Sequence, residues 1–86
     1  MAMLDLHNFF VVCHKKEKKQ FRNVGDAVLY WNNAAALEGV FLGDRIEIYS
    51  SYVENGKENN TFEGNLISIN RANNIYLSPY LGRLQP

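Results

Sequence analysis

The sequence is poor in cysteine and proline, with one cysteine, Cys13, and two prolines among 86 residues. One cysteine excludes an internal disulfide, and small secreted domains usually depend on such cross-links. The longest apolar run near the start, residues 9–13, is too short for a signal-peptide core or a membrane span. We therefore expect a cytoplasmic protein that does not enter a membrane.

The motifs of catalysis are also missing, since the chain has no glycine-rich phosphate loop, paired carboxylates or nucleophile signature. Cys13 and His14 are adjacent, and neighbouring side chains on a strand point to opposite faces, so these two cannot form a nucleophile–base pair. His7 lies in residues 1–8, which we expect to form a flexible leader. We therefore expect no enzyme activity, and we expect Cys13 to be a buried core residue.

Metal and cofactor sites are not expected either. One cysteine and two histidines fall short of a zinc motif. Residues 54–60 are rich in side-chain oxygen atoms, but they lack the order of acids that an EF-hand calcium loop requires. We interpret this segment as a solvated hairpin loop.

The length and composition indicate one small folded domain over residues 1–86. The chain is 47% hydrophobic and 21% charged, which is typical of a globular protein and not of a disordered one. A domain of this size is only marginally stable alone, so burial against a partner or a second copy would stabilise it. A homodimer formed through an exposed sheet edge therefore remains open.

The zero net charge hides a separation of charge along the chain. Residues 14–22 carry five cations and one acid, whereas residues 23–63 carry seven acids and two cations. A basic end and an acidic body create an oriented field that can steer an encounter with a charged partner.

A strand and a helix are predicted in the first half of the chain. Residues 9–13 are β-branched and aromatic, and because both faces of this strand are apolar we expect it to be central. Residues 15–19 predict a polar turn, and residues 20–22 a short returning strand. The predicted helix covers about residues 24–37, with an apolar stripe, and its ends are marked by Asn23 as N-cap, Asp26 in the first turn and Gly39 at the C-terminus.

The second half of the chain changes to a period of two, which favours strands. Asn55-Gly56 is the strongest short-range hairpin signal, and it separates a strand over residues 46–53 from a partner strand over residues 61–69. Gly64 is expected to mark a β-bulge.

The C-terminal hairpins, over about residues 45–77, end with a short strand at residues 75–77. The element order is ββαβββ, or βαβββ if the second strand fails. Both orders predict an α+β fold: a single small domain with an antiparallel β-sheet and one helix packed on one face.

Aromatic residues are numerous, with five Tyr, five Phe and one Trp. Trp31 lies on the apolar stripe of the helix, so we expect it in the core. Tyr30 lies off that stripe and Phe41 follows the helix in a loop, as is typical of interface anchors. Simple coverage of the single helix would explain the same surplus.

These features predict a small non-catalytic intracellular binding protein that engages a macromolecular partner, above all a protein, as an inhibitor or adaptor. Inhibitors and adaptors of phages and mobile elements supply the analogy. The basic hairpin would meet an acidic patch, or the acidic hairpin 54–63 would occupy a basic groove. The expected partner-binding residues are Lys15, Lys16, Lys18, Lys19, Arg22, Tyr30, Phe41, Glu54 and Glu58.

The alternative is a nucleic-acid-binding domain that uses the basic hairpin 14–22. Its lysines and arginine could contact phosphates while Phe21 stacks on a base. The same lysines could instead keep a sheet edge soluble, and the acids of the body would repel a polyanion.

Residues 62–77 also resemble the first motif of Sm-like RNA-binding proteins. In that family a glycine is followed at fixed spacing by a leucine, an acid, an asparagine and two apolar strand residues. The resemblance implies that the asparagine, here Asn74, contributes to a base-binding pocket. The matching positions are Gly64, Leu66, Asn74, Ile75 and Leu77.

The chain departs from the Sm pattern at several positions. Asn70 stands where the family has an acid, Asn73 stands where an apolar residue is usual, and Gly82-Arg83 reverses the order of the second motif. A short hairpin can produce the same spacing. Taken with the basic hairpin, the nucleic-acid residues of this alternative are Lys15, Lys16, Lys18, Lys19, Phe21, Arg22 and Asn74.

Overall fold

Six elements follow one another in a computed structural model of the chain, which describes residues 7–72 and 74–79. All neighbouring strands pair antiparallel in one sheet. The α+β class and the order ββαβββ are confirmed. The elements are β1 (His7–His14), β2 (Glu17–Phe21), α1 (Val24–Glu38), β3 (Arg45–Glu54), β4 (Lys57–Ile69) and β5 (Ile75–Leu77), and the strands lie in the order β2-β1-β3-β4-β5.

Helix α1 begins and ends where its local signals predict. The Asn23 side chain accepts hydrogen bonds from the backbone N–H groups of Gly25 at 2.7 Å and Asp26 at 3.2 Å, which satisfies two donors of the first turn. Gly39 ends the helix with a φ of 92° and donates its N–H to the carbonyl of Ala35. Helix α1 is not long and apolar enough to cross a membrane.

The core lies between helix α1 and one face of the sheet. Trp31 is buried there, as predicted, against the apolar side chains that β1 and β3 direct towards the helix. Among the described residues its indole Nε1 has no hydrogen-bond partner. The other buried core residues are Phe10, Val12, Ala27, Ile46, Ile48, Leu66, Ile67 and Ile69.

The β1–β2 turn is shorter than predicted. Only Lys15 and Lys16 form the turn, with Lys15 at a φ of 58°, and β2 already begins at Glu17. The expectation that residues 15–19 form a turn was therefore wrong, because antiparallel pairing to β1 overrides the weak strand preference of lysine and glutamate. The prediction of a flexible leader over residues 1–8 was also wrong at the end of that segment, since His7 pairs with Ser51 in the sheet.

The β3–β4 hairpin is longer than predicted. Asn55-Gly56 forms the turn as expected, but Glu54 already pairs with Lys57, so residues 57–60 belong to the strand and not to a solvated loop. The register shifts where Ile48 pairs with Gly64 while Tyr49 pairs with Phe62. This β-bulge next to Gly64, whose φ is 147°, confirms the predicted irregularity.

Candidate functional site

Two elements meet along one edge of the molecule: the basic β1–β2 hairpin and the C-terminal half of helix α1. Among the described residues β2 pairs only with β1, so its other side is a free sheet edge. We call this area, with its side chains at Lys15, Lys16, Lys19, Tyr30, Leu37 and Phe41, the hairpin–helix surface.

Lys19 and Tyr30 form the centre of the hairpin–helix surface. Lys19 Nζ lies over the Tyr30 ring, 5.0 Å from its centroid, and the Tyr30 ring packs against Phe21 at 5.3 Å. A cation over an aromatic face is held electrostatically by the negative face of the ring. The sequence predicted Tyr30 as an exposed anchor; it is half-buried, and its contact with Lys19 joins the helix to the edge strand.

A groove of about 320 Å³ runs between helix α1 and the hairpin. Its apolar wall is helical, and Leu37 is 86% exposed beside it. The spacing of Tyr30, Asn33 and Leu37 places them on one ridge of the helix, which is the sequence signal that could have indicated the groove. The groove is lined by His14, Glu17, Tyr30, Asn33, Ala34, Leu37 and Glu38.

Buried polar contacts fix the end of the groove. The His14 ring is buried, with Nε2 at 3.0 Å from the Gly39 carbonyl oxygen and Nδ1 at 3.4 Å from a Glu38 carboxylate oxygen. Asp44, also buried, accepts hydrogen bonds from the backbone N–H groups of Lys15 at 2.9 Å and Phe41 at 3.1 Å. These contacts hold the hairpin turn, the end of the helix and the following loop together.

The same contacts bring two predicted residues side by side. Lys15 Nζ lies 5.4 Å from the Phe41 ring centroid and 3.4 Å from a Glu38 carboxylate oxygen. Phe41 is 40% exposed and packs edge-on against His14. An exposed aromatic beside a cation is the composition typical of an interface anchor.

The predicted acidic residues lie elsewhere. Glu54 and Glu58 are at the far end of the β3–β4 hairpin, whereas β3 begins with Arg45 beside Cys13, close to the basic turn. At about 3.3 Å per residue, Arg45 and Glu54 are about 30 Å apart along the strand. The structure therefore divides the predicted partner-binding set between opposite ends of the sheet.

The predicted nucleic-acid residues do not form one patch. Phe21 is half-buried and contacts Tyr30, with Lys19 Nζ 6.0 Å from its centroid, so its ring already packs against the helix. Asn74 lies across the sheet in the β4–β5 turn, where Asn70 Oδ1 accepts a hydrogen bond from its N–H. Asn73 and Gly82-Arg83 of the Sm comparison lie outside the described residues.

Lysine and arginine side chains of the hairpin point in different directions. Lys19 pairs with Val12 and so shares the helix-facing side of the sheet, whereas Lys18 pairs with Cys13 on the opposite side. Arg22 is exposed beyond the end of β2, and Lys16 makes no ion pair with another described residue. The five cations therefore surround the edge instead of covering one face.

A second group of polar residues lies on the sheet face opposite the helix. Burial raises the pKa of the Glu47 carboxyl, but hydrogen bonds from Arg45 Nε at 2.8 Å and from Tyr49 OH at 2.9 Å hold that pKa below its usual value. Cys13 is buried on the same face, where burial and the Glu47 charge raise the thiol pKa. Cys13 and His14 face opposite sides of the sheet, as predicted.

Comparisons with known proteins return nothing: no protein-family model, curated protein or solved structure matches this chain. The candidate site is therefore interpreted from its own geometry. Within residues 7–72 and 74–79 no group of three or more His, Cys, Asp or Glu side chains is arranged to hold a metal ion.

Proposed function

We propose that this protein is a non-catalytic binding domain that engages another protein, as an inhibitor or adaptor, through the hairpin–helix surface. The partner segment would be extended and acidic. It would lie along the free edge of β2, with one side chain entering the groove beside helix α1.

The observation that carries this proposal is the position of Lys19. It stands on an edge strand and over Tyr30, which lines the groove, so one side chain links the free edge to the concavity. An extended segment adds to a sheet edge through main-chain hydrogen bonds, while pockets beside the strand select its side chains. Lysines on an edge disfavour unspecific strand pairing, and the same charges favour an acidic segment.

Apolar side chains around the groove support a protein partner. Leu37 lines the groove and is 86% exposed, and the 40% exposed Phe41 ring lies 5.4 Å from Lys15 Nζ. Burial of apolar and aromatic anchors within a charged rim is typical of protein interfaces.

Nucleic acid is the weaker candidate because the ring predicted to stack on a base already packs against the helix. Phe21 contacts Tyr30, and Lys15 is already paired with Glu38. The groove also contains two carboxylates, Glu17 and Glu38, which would repel a backbone that carries a phosphate at every nucleotide. A peptide can instead place an apolar side chain in the groove and its acidic side chains beside Lys16 and Lys19.

The experiment is a selection of random displayed peptides on the full chain, after which the enriched peptides are tested for binding to the double variant Lys16→Glu/Lys19→Glu. We expect enriched peptides to be rich in Asp and Glu, and to bind the native chain at least tenfold more tightly than the double variant. Lys57→Glu reverses a charge at the distal hairpin and serves as the matched control, with native affinity expected.

Two outcomes would overturn the proposal. One is the absence of any enriched peptide, and the other is a set of peptides that bind the double variant as tightly as the native chain. Circular dichroism of both variants establishes that they are folded, so that loss of binding reports on the surface and not on unfolding.

A further inference from the structure

We infer that the sheet face opposite helix α1 binds a second copy of this chain, in a two-fold symmetric dimer. This inference is independent of the proposed function, because it concerns the other face of the sheet. We call that face the open face, since no described helix or strand packs on it.

A row of aromatic rings crosses the middle of the open face. The Phe9 and Tyr49 rings are stacked at 5.0 Å with an interplanar angle of 3°, and Phe62 meets Tyr49 edge-on at 5.5 Å. These rings come from β1, β3 and β4, so they form one continuous apolar band. Phe62 is 52% exposed and adjoins the stacked pair, so the rings form a contiguous apolar patch, which is typical of an interaction surface.

Two carboxylates of the open face are already hydrogen-bonded within the chain. Glu47 accepts hydrogen bonds from Arg45 and Tyr49, and Glu58 accepts one from Ser51 Oγ at 2.9 Å. A polar group that already has its hydrogen bond loses less when water is excluded than an unpaired one. The centre of the open face can therefore be covered without leaving Glu47 unpaired.

The open face carries a positive and a negative charge on opposite sides of the aromatic row, so a two-fold rotation can place them opposite each other. Lys18 stands in the cross-strand row of Cys13 and Arg45, and Glu58 stands in the row of Val53. Tyr49 is four residues from Arg45 and four residues from Val53 along β3, about 13 Å in each direction. The aromatic row thus lies midway between a basic row and an acidic row.

A two-fold axis that lies between the two faces, passes the Phe9–Tyr49 pair and runs obliquely to the aromatic row would therefore bring opposite charges together. Lys18 on β2 and Glu58 on β4 stand at opposite corners of the open face. In a symmetric interface the same patch meets itself, so Lys18 of one copy faces Glu58 of the other at two equivalent places. The Phe9 and Tyr49 rings of the two copies would pack against each other at the axis. This arrangement uses the face of the sheet and leaves both sheet edges free.

The first test is sedimentation equilibrium of the full chain from low to high micromolar concentration at near-physiological salt. We expect a monomer–dimer equilibrium. Phe62→Asp is expected to weaken dimerisation at least tenfold, whereas Leu29→Asp, an equally drastic change at a helix position that is 59% exposed, leaves it unchanged.

The second test uses charge reversal and does not depend on the aromatic substitution. Lys18→Glu and Glu58→Lys alone are each expected to weaken the dimer about threefold to tenfold, since each creates two like-charge contacts across the axis. The double reversal restores the pairing and is expected to recover most of the native affinity.

Three results would overturn the inference. A chain that stays monomeric at high micromolar concentration has no such dimer. A dimer that Phe62→Asp does not weaken uses another surface, and a double reversal weaker than both single variants excludes the two-fold charge pairing.

Discussion

The carboxylate of Asp44 lies 3.6 Å from Nε2 of the buried His14, thirty residues earlier in the chain. Asp44 is itself almost completely buried, at 1% exposed, and also accepts hydrogen bonds from the backbone N–H groups of Lys15 and Phe41. This contact joins the basic hairpin turn to the loop after helix α1. The hairpin–helix surface depends on it, because it sets the position of Lys15 relative to Phe41.

Replacing Asp44 should therefore destabilise the protein. Asp44→Ala leaves two backbone N–H groups without their acceptor, and we expect the free energy of unfolding to fall by about 2–3 kcal/mol. Urea denaturation followed by circular dichroism measures this change. Glu54→Ala, at the exposed end of the distal hairpin, is the control, with an expected change within about 0.5 kcal/mol. Equal effects of the two substitutions would show that Asp44 does not anchor the loop.

Glu47 should make the stability depend on acid pH. Burial raises the pKa of the Glu47 carboxyl, but the hydrogen bonds from Arg45 and Tyr49 lower it by more than burial raises it. The folded pKa therefore lies below the pKa in the unfolded chain, which is about 4.3. A lowered folded pKa stabilises the protein above the unfolded pKa, and that stabilisation is lost as the pH falls through the folded pKa.

Glu47→Gln tests this dependence. We expect the variant to be less stable than the native chain by about 2 kcal/mol at neutral pH, since two hydrogen bonds to a charged acceptor are weakened. The difference should narrow as the pH falls below the unfolded pKa, because the native carboxyl becomes protonated as the pH passes through the lowered folded pKa. Thermal melts from pH 7 to pH 3 measure both curves. A constant difference over this range would contradict the assigned role.

Cys13 should react slowly with thiol reagents in the folded protein. It is 4% exposed, and burial and the nearby Glu47 carboxylate raise the pKa of its thiol. Since the thiolate is the reacting form, both features slow the reaction. With a disulfide reagent at pH 8 we expect the native chain to react at least a hundredfold more slowly than the chain in strong urea. Equal rates would mean that the open face is accessible at Cys13.

Labelled single-stranded RNA and duplex DNA should bind weakly at most. A protein partner is favoured by the contact of the Phe21 ring with Tyr30 and by the carboxylates of Glu17 and Glu38 in the groove. The remaining lysines supply only salt-sensitive contacts to phosphates. We expect any anisotropy change seen at low salt to disappear at near-physiological salt. Binding that persists there, and that Lys16→Glu/Lys19→Glu abolishes, would instead support the nucleic-acid alternative.

Much of the fold follows from local signals. Helix α1 could be placed because Asn23 and Gly39 are residues with strong capping preferences, and because its apolar stripe repeats at the helical period. The turn at Asn55-Gly56 could be predicted because a two-residue hairpin turn requires positive φ angles, which Asn and Gly adopt readily. Asn55 indeed has a φ of 53°. Such features depend on a few neighbouring residues, so the sequence shows them directly.

Other features depend on contacts between distant segments and could not be predicted. Residues 57–60 are poor strand formers, yet they pair because the two-residue turn places them opposite β3. The groove requires helix α1 to cross beside β2, and no local pattern reports that arrangement. His14 is the first residue of the basic hairpin 14–22, yet its ring is buried against Asp44 and the Gly39 carbonyl, both of which are distant in the sequence.

The most direct test of the protein-binding account is site-specific photocrosslinking in living cells. Leu37 is replaced by benzoylphenylalanine, since it lines the groove and is 86% exposed, and the same replacement at Glu54 serves as the distal control. The account predicts a discrete protein adduct from position 37 that depends on ultraviolet light, resists nuclease treatment and disappears in the Lys16→Glu/Lys19→Glu background. An adduct that forms only from position 54, or one that nuclease removes, would contradict it.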